Sequence, residues 1–350
     1  MIKFILKKLA YGVVVVFGVM LVVFFIFHAL PGDPVEEIMG KHPSEADRRM
    51  LNKEFGFDQP LPIQFMMYVN DFSIFSFHEG TPKNQEKYDY FSILTLGKNV
   101  FVIKYPYLRL SIVDSSKVST RLLENLEGTL WLSLVAMILA TVGGVLLGLW
   151  AALRKDSLID RSIVTVSVIW FSTPSFVMAI LISAIFGYYL TEHTGLPVRG
   201  HFFEVTSSGR VFHWKNMVLP AFTLCLRPLA IIIQLTRNAM LDVLSQDYIR
   251  TARAKGLPKW MVIGKHALRN ALNPVITAVS GWFAALMTGA FFIEYLFNLK
   301  GLGYVTIKAV EQKDFPVVMG ATIIIAIIFV LINILVDIIY ALTDPRIRLS

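Results

Sequence analysis

The sequence contains a single cysteine, Cys225. A disulfide within the chain and a metal site built from several thiolates are therefore excluded. Charged residues are also scarce: they make up 17% of the chain, whereas an average soluble domain has about 25%. In contrast, 55% of the residues are hydrophobic and the mean hydropathy is +0.61. This balance predicts a protein that crosses a membrane several times.

Short motifs typical of enzymes are absent as well. The phosphate-binding loop GxxxxGK[ST] does not occur, because the nearest match, at 262–267, lacks the first glycine and the final Ser or Thr. HExxH, CxxC and GxSxG are also missing, and the histidines are not spaced as ligands on one helix face. We therefore expect no catalytic residue, no metal site and no cofactor on this chain. The net charge of +8 could indicate nucleic acid, but in so apolar a chain the position of the charges matters more, and no nucleic-acid partner is expected.

Six apolar stretches are long enough to span a bilayer, whose hydrocarbon core needs roughly 20 helical residues. The first exceeds the about 7–15 apolar residues of a signal peptide and leads into LPGDP instead of a cleavage site, which predicts an uncleaved anchor. The predicted fold is an all-α membrane protein with six transmembrane helices and some β structure in one long loop. The spans are predicted at 9–30, 128–153, 162–190, 217–235, 275–293 and 317–340.

Lys and Arg indicate the orientation. They are concentrated in the N-terminal tail, the loop 238–274 and the other segments on that side of the membrane, and are fewer in the short loops 191–216 and 294–316. The positive-inside rule therefore places both termini in the cytoplasm. The chain therefore divides into four regions. These are a tail with the first span (1–30), an extracytoplasmic loop domain (31–127), a membrane core (128–341) and a cytoplasmic tail (342–350).

The cytoplasmic loop 238–274 has the pattern of two helices joined by a tight turn. Asp247 is predicted to cap a helix over about 248–255. Gly256 suits the left-handed residue after a helix end, and Pro258 suits the start of the next helix.

That second helix is predicted to run from 258 to about 271 and to bend before the fifth span at Pro274. Two kinds of surface are expected in the loop. In the first helix Tyr248, Ile249 and Ala252 share one side, and Arg250 and Arg253 share another. The second helix would have one apolar face, formed by Trp260, Ile263, Ala267 and Ala271. On periodicity alone, a basic helix pair held at anionic lipid headgroups explains the loop equally well.

The exact string DYIRTARAKGLPKWMVIGKHALRNALNPV, at 247–275, decides between these explanations. It closely resembles the cytoplasmic loop of permease subunits of bacterial ATP-binding-cassette importers, in the peptide/nickel branch that includes the dipeptide and oligopeptide permeases. The resemblance covers nearly the whole chain. It also includes HALPGDP, FGFDQPLPIQF, STPSF, LTRNAMLDVLSQDYIRTARAKG, NLKGLGYV and LINILVDIIYALTDPRIR.

The resemblance implies the type I importer permease fold and a coupling role for the loop. In that family the short loop helix seats in a cleft of a separate ATPase, and the ATPases use ATP and Mg. The broader motif begins Glu-Ala-Ala six residues before the glycine, whereas this chain has Arg250, Thr251 and Ala252 there. The residues implied to contact the ATPase are Arg250, Thr251, Ala252, Arg253, Ala254, Lys255, Gly256, Leu257 and Pro258.

Polar residues within or beside the spans are candidates for the transport pathway. The run Ser172, Thr173 and Pro174 interrupts the third span, either as a kink in a pore-lining helix or as ordinary helix packing. Arg227 is predicted to break the fourth span with Pro228, as a functional charge or as a residue that snorkels or pairs at a subunit interface. Glu294 is expected at the outer end of the fifth span, as a gate, a receptor contact or a plain interfacial carboxylate.

The long loop 31–127 contains a part that the family resemblance does not cover, at about 72–118. A helix, a turn around Pro60 and a second helix are predicted before it, and strand is predicted at 100–113 because of its β-branched and aromatic residues. We expect this insertion-like extension to contact a substrate-binding receptor or a partner permease. A lid that only packs on the spans explains it equally well.

The leading hypothesis is a permease that forms half of a pathway for di- or oligopeptides. Its expected partners are a second permease or another copy of itself, two cytoplasmic ATPases and an extracytoplasmic binding protein, in a bacterial inner membrane. Nickel or another metal chelate is the alternative substrate. An ion-coupled secondary transporter is less favoured, because it predicts inverted repeats and membrane-embedded carboxylates, and only Asp337 lies in a span. An intramembrane enzyme ranks third, because no paired catalytic residues are evident.

Overall fold

A computed structural model describes residues 2–29, 35–36, 44–46, 48–49, 52, 56–207 and 209–343. Of the predicted helix before Pro60, residues 45–46, 48–49 and 52 are described, and they are helical; its other positions and nearly all of the predicted tail lie outside the described residues. In chain order the helices and strands begin with α1 Ile2–Ala29, α2 Leu61–Phe72, β1 Phe75–Glu79, α3 Pro82–Tyr88, β2 Tyr90–Leu96, β3 Asn99–Lys104 and α4 Val118–Leu153.

The second half of the chain is almost entirely helical in its described residues. Two π-helical stretches, Ser183–Tyr189 and Val262–Leu268, directly continue α-helices. The elements are α5 Leu158–Ser172, α6 Ser175–Ile182, α7 Thr191–Thr194, β4 Phe203–Thr206, β5 Gly209–Phe212, α8 Lys215–Leu244, α9 Asp247–Ala254, α10 Lys259–Met261, α11 Arg269–Gly289, α12 Phe291–Leu296, α13 Leu302–Glu311 and α14 Phe315–Thr343.

Among the described residues, four helices are long and apolar enough to cross a membrane. They contain Phe4–Phe27, Val118–Leu153, Lys215–Leu244 and Phe315–Ile338. A fifth candidate is the pair α5 and α6, with the π-helical turn that follows, whose two arms are bent by 110°. The predicted span 275–293 falls mostly on α11, which does not meet the same test. The structure therefore supports four or five of the six predicted crossings.

The chain divides into two compact units. One comprises Leu6–Asn125 and Val305–Ile327. Its core joins α1, α2 and α14 through Met20, Phe24, Tyr68 and Ile323. The antiparallel sheet in this unit has the order β1-β3-β2.

Strand β3 covers the start of the stretch 100–113 for which strand was predicted, but it ends at Lys104. The chain then becomes irregular at Tyr105, and Pro106 follows, which has no backbone N–H to donate to a neighbouring strand. Arg109 adopts a left-handed conformation with φ of 66°. The strand prediction is therefore right for the first part of the stretch and wrong for the rest.

The other unit comprises Leu126–Tyr304 with Met1–Ile5 and Ile328–Ser350. Helix α8 lies at its centre, and α4 packs against it through glycines. A Cβ on Gly144 would lie 2.6 Å from the Cγ2 atom of Ile232, and one on Gly148 would lie 2.6 Å from the carbonyl oxygen of Ile233. This close approach fixes α8 beside α4, as small residues do between membrane helices.

Candidate functional site

The loop predicted to contact an ATPase forms a compact elbow, defined here as residues 247–258. Helix α9 ends in a Schellman motif: the N–H of Gly256 donates to the carbonyl of Arg253 at 3.0 Å, and the N–H of Leu257 donates to that of Ala252 at 3.4 Å. Gly256 has a φ of 75°, which confirms the predicted left-handed glycine. A Cβ at Gly256 would have no heavy atom within 4 Å, so the turn is open to its surroundings.

The predicted cap at Asp247 is wrong. Gln246 occupies the cap position with φ of −73° and ψ of 149°, and its side chain makes no capping hydrogen bond. Asp247 is instead the first helical residue, where its carboxylate still interacts favourably with the positive end of the helix. Its Oδ1 atom lies 3.5 Å from Nη1 of Arg250.

Helix α9 has the two predicted faces. Ile249 and Ala252 are buried in an apolar cluster with Met240, at the end of α8, and Val262, in the π-helical stretch. Tyr248, predicted on the same side, is only half-covered, but its hydroxyl accepts a bond from Nδ2 of Asn270 at 2.9 Å. The apolar face therefore anchors α9 to the ends of the long helices.

The opposite face of α9 is exposed and basic. This face ends at the open turn, so its positive charges lie beside a surface that nothing in the described part of the chain covers. A partner surface that carries carboxylates would be complementary to it. The side chains exposed on it are Arg250, Thr251, Arg253, Ala254 and Lys255.

The second loop helix differs from the prediction in two respects. It does not end near 271, because α11 continues through Pro274 to Gly289. Its apolar face also excludes Trp260, which is 72% exposed, and includes the buried Val262 instead. The π-helical stretch explains this change, since its wider turn places Ala267, five residues after Val262, on the same face.

The interruption of the third span is larger than a kink. Helix α5 ends at Ser172, Thr173 and Pro174 adopt extended conformations, and α6 leaves at a bend of 110°. The hydroxyl of Thr173 donates to the carbonyl of Ile169 at 2.8 Å, and the same carbonyl accepts the backbone N–H of Thr173 at 3.1 Å. The bend itself is therefore confirmed, and a place in the transport pathway stays a prediction.

The predicted break at Arg227 is wrong. Helix α8 runs without interruption through both Pro220 and Pro228. Tight packing accounts for this, because two thirds of its apolar window is buried and membrane helices tolerate proline when neighbours support the backbone. Arg227 is exposed, and its guanidinium carbon lies 5.6 Å from the ring centre of Phe171 on α5.

Glu294 does not project from the end of a span, because it is buried on the short helix α12. Its Oε2 atom accepts the backbone N–H groups of Gly303 at 2.7 Å and Tyr304 at 3.2 Å, in the first turn of α13. The N–H of Leu302, the first residue of that helix, donates to Oγ1 of Thr129 at 2.8 Å. Glu294, on α12, thus caps the helix that follows it, a role that its sequence position did not reveal.

The glycines of NLKGLGYV explain how this cap fits. A Cβ on Gly301 or Gly303 would collide with the Glu294 carboxylate. The spacing of the two glycines was visible in the sequence, but their contact with Glu294 was not. This arrangement favours a structural role for Glu294 over the gate or receptor contact considered above.

A second group of charged side chains lies under the sheet in the other unit. The carboxylate of Asp71 accepts bonds from Tyr88 at 2.9 Å and Arg109 at 3.1 Å, and its backbone carbonyl accepts one from Lys104. Burial lowers the pKa of Lys104 to about 8, although the nearby Asp71 carboxylate raises it. Burial likewise lowers the pKa of His78 to about 4. No group of three or more His, Cys, Asp or Glu side chains that could hold a metal ion occurs in the described part of the chain.

Comparison with known proteins gives matches along nearly the whole chain. The family described as "Binding-protein-dependent transport system inner membrane component" matches residues 144–349, and the corresponding N-terminal family matches residues 1–84. The dipeptide transport system permease protein DppB of Bacillus subtilis is 33% identical over 93% of this chain and 91% of its own length.

Two further relatives match over 99% of both chains. The probable peptide ABC transporter permease protein y4tP of Sinorhizobium fredii is 32% identical. The glutathione transport system permease protein GsiC of Escherichia coli K12 is 31% identical.

Proposed function

The chain belongs to the family of binding-protein-dependent transport system inner membrane components, and from this premise we propose that it forms half of the membrane pathway of an ATP-driven importer of short peptides. The work of transport would be done by conformational change alone. The chain would alternate access to a substrate whose covalent bonds stay unchanged.

The elbow is the observation that carries this proposal. Its basic face and the open turn at Gly256 suit a cleft lined by carboxylates, as on a cytoplasmic ATPase. Its apolar face packs on the end of α8 through Ile249, so a displacement of α9 would be passed to a long helix. An anchored face and a free face are what a mechanical coupling element needs.

The proposed assembly contains two such permeases, two ATPases that bind ATP and Mg, and an extracytoplasmic binding protein. We propose that the chain crosses the membrane six times, with α11 as the span beyond the five candidates, and that both termini lie in the cytoplasm. A cysteine introduced at Gly264 or at Lys98 would test the orientation, because an impermeant thiol reagent should label only Lys98→Cys in intact cells.

Short peptides are the substrate class favoured by the relatives, two of which carry peptide or dipeptide in their names and one glutathione. A metal chelate such as a nickel complex is the alternative. Ligand binding by the cognate receptor decides between them: a receptor that binds labelled dipeptides but no nickel chelate supports the proposal, and the reverse result replaces the substrate class.

The sheet of the 72–118 segment is proposed to meet the receptor or the second permease. Phe75, Phe77 and Phe91 are all more than half exposed on its outer face, and exposed apolar groups of this kind mark interaction sites. A photo-crosslinking residue at Phe91 should capture one of these two proteins. Crosslinks to lipid alone, or to the chain's own spans, would support the lid instead.

The central test uses Gly256→Pro in the complete importer, reconstituted with its ATPases and receptor. Proline requires a φ of about −65° and has no N–H, so it cannot form the Schellman turn at a φ of 75°. We expect peptide uptake to be abolished while membrane insertion stays normal.

The matched control is Gly264→Ala, at a glycine that is also open but lacks a positive φ. Full uptake by the proline variant would remove the coupling role. Uptake by the isolated wild-type chain, without companion proteins, would instead indicate a secondary transporter.

A further inference from the structure

Asp160 and Arg237 form a two-point ion pair that no motif in the sequence indicates. Nε of Arg237 lies 2.5 Å from Oδ1 of Asp160, and Nη2 lies 2.7 Å from Oδ2. Asp160 is only 2% exposed. The guanidinium fork and the carboxylate therefore meet side by side, which fixes both the separation and the relative direction of the two side chains.

Asp160 also holds the turn that leads into its own helix. Its Oδ2 atom accepts the N–H of Asp156 at 3.0 Å, where the chain has a left-handed φ of 62°. Its backbone N–H donates to Oγ of Ser157 at 3.2 Å, the side-chain cap of α5. One carboxylate thus connects the end of the α4–α5 turn, the first turn of α5 and the side of α8.

The pair lies close to the anchor of the elbow. Arg237 is one helical turn before Met240, and Met240 packs in the same cluster as Ile249 and Ala252 of α9. Helix α8 is continuous through this region to Leu244. The elbow and Asp160 are therefore attached to the same end of one rigid helix.

From Asp160, α5 continues to the 110° bend at residues 172–174. A displacement of the end of α8 would reach this bend through the first turn of α5. Apolar packing also joins α5 to α8, but apolar contacts can slide, whereas a two-bond fork resists both sliding and rotation.

The energetic argument concerns positioning more than stability. A buried ion pair contributes little net stability, because desolvation of both charges offsets their attraction, and apolar replacements often do as well. A directional link between two helices is what the pair supplies and an apolar contact lacks.

We propose that Asp160 and Arg237 are positioning residues of the coupling machinery, which make the start of α5 move together with the elbow end of α8. This inference rests on the proposed function. It adds a second mechanical joint, between α8 and the bent helix pair, to the joint between α8 and α9.

The test measures peptide imported per ATP hydrolysed by the reconstituted importer, for wild type, Asp160→Asn and Arg237→Lys. Lysine keeps the charge but cannot form the fork. We expect the ratio to fall about tenfold in Asp160→Asn and by a smaller factor in Arg237→Lys, while ATP hydrolysis continues. Arg161→Gln, at the exposed neighbour of Asp160, should leave the ratio unchanged.

Each outcome bears on the inference. An unchanged ratio in Arg237→Lys, in an importer that assembles normally, overturns it. Partial recovery of the ratio by the charge exchange Asp160→Arg with Arg237→Asp supports it, because a merely structural defect would lower protein yield without changing the ratio. If the wild-type importer moves no peptide, the proposed function fails first, and that result is distinct from a coupled wild type with unaffected variants.

Discussion

The elbow and the 72–118 sheet differ in which side chains they bury and which they expose. Helix α9 buries Ile249 and Ala252 and exposes its cations. Strand β1 buries Ser76 and His78 and exposes Phe75 and Phe77. Helix α9 therefore exposes charged side chains and is held by apolar contacts, whereas β1 exposes aromatic rings and buries polar side chains.

This difference indicates two kinds of partner contact. The elbow offers long-range electrostatic attraction, which salt screens over about 10 Å at 0.1 M ionic strength. The sheet offers apolar area, whose burial is nearly independent of salt and contributes roughly 25 cal/mol per Å². Salt and substitution experiments should therefore separate the two surfaces.

The largest effect is expected inside the sheet unit, from Asp71→Ala. The change removes the carboxylate that accepts from Tyr88 and Arg109, and breaking a buried ion pair costs about 3 kcal/mol. Thermal unfolding in detergent should show a clear loss of stability. Glu86→Ala, at an exposed carboxylate of α3, is the control. Equal stability of the two variants would mean that the interior of the sheet unit is not held by its charges.

Removal of the elbow charges should come next, in the triple variant Arg250→Gln, Arg253→Gln and Lys255→Gln. Exposed charges contribute up to about 1 kcal/mol each, so binding of the ATPases should weaken about 10-fold to 100-fold, with little change in unfolding. Added salt should weaken the wild-type complex and have less effect on the variant. Arg154→Gln, which changes another exposed arginine, should leave binding near wild type.

Substitution of the exposed rings should weaken a contact that depends little on salt. Phe77→Ser with Phe91→Ser should weaken crosslinking to the receptor or the second permease about tenfold, because buried aromatic anchors dominate such contacts. Stability should be unchanged, since these rings are exposed in the folded chain. If added salt disrupts this contact as strongly as the elbow contact, the comparison between the two surfaces is wrong.

Local chemistry explains what the sequence could predict. The turn at Gly256 was predictable because all its bonds join residues 252–257. The faces of α9 followed from ordinary helical spacing. The face of the second loop helix was mispredicted at Trp260, because a π-helical stretch changes the spacing and leaves no mark in composition.

Long-range partners were outside the reach of the sequence. Asp160 and Arg237 are 77 positions apart, and Thr129 caps a residue 173 positions away. Nothing near either residue identifies its partner. The 72–118 segment was hard to predict for another reason: strand β1 exposes Phe75 and Phe77 and buries Ser76 and His78, which is the reverse of the usual alternation.

The smallest predicted effect concerns pH and separates the two regions once more. Burial lowers the pKa of His78 to about 4 from an ordinary value of 6.5. Below pH 6.5 the unfolded chain therefore binds a proton that the folded sheet does not, and stability falls as the pH decreases toward 4. The loss at pH 5 should be about 1 kcal/mol, after allowance for screening by solvent.

Hydrogen exchange over β1 and β3 should therefore be less protected at pH 5.0 than at pH 7.5, once intrinsic rates are corrected. His78→Gln should remove this difference, because glutamine does not titrate. Lys104 contributes little in this range, since its pKa is about 8 and it stays mostly protonated. Helix α9 contains no histidine, so its protection should not follow the same pH profile. A matching loss in α9 would show that acid loosens the whole protein and not the buried polar interior of the sheet.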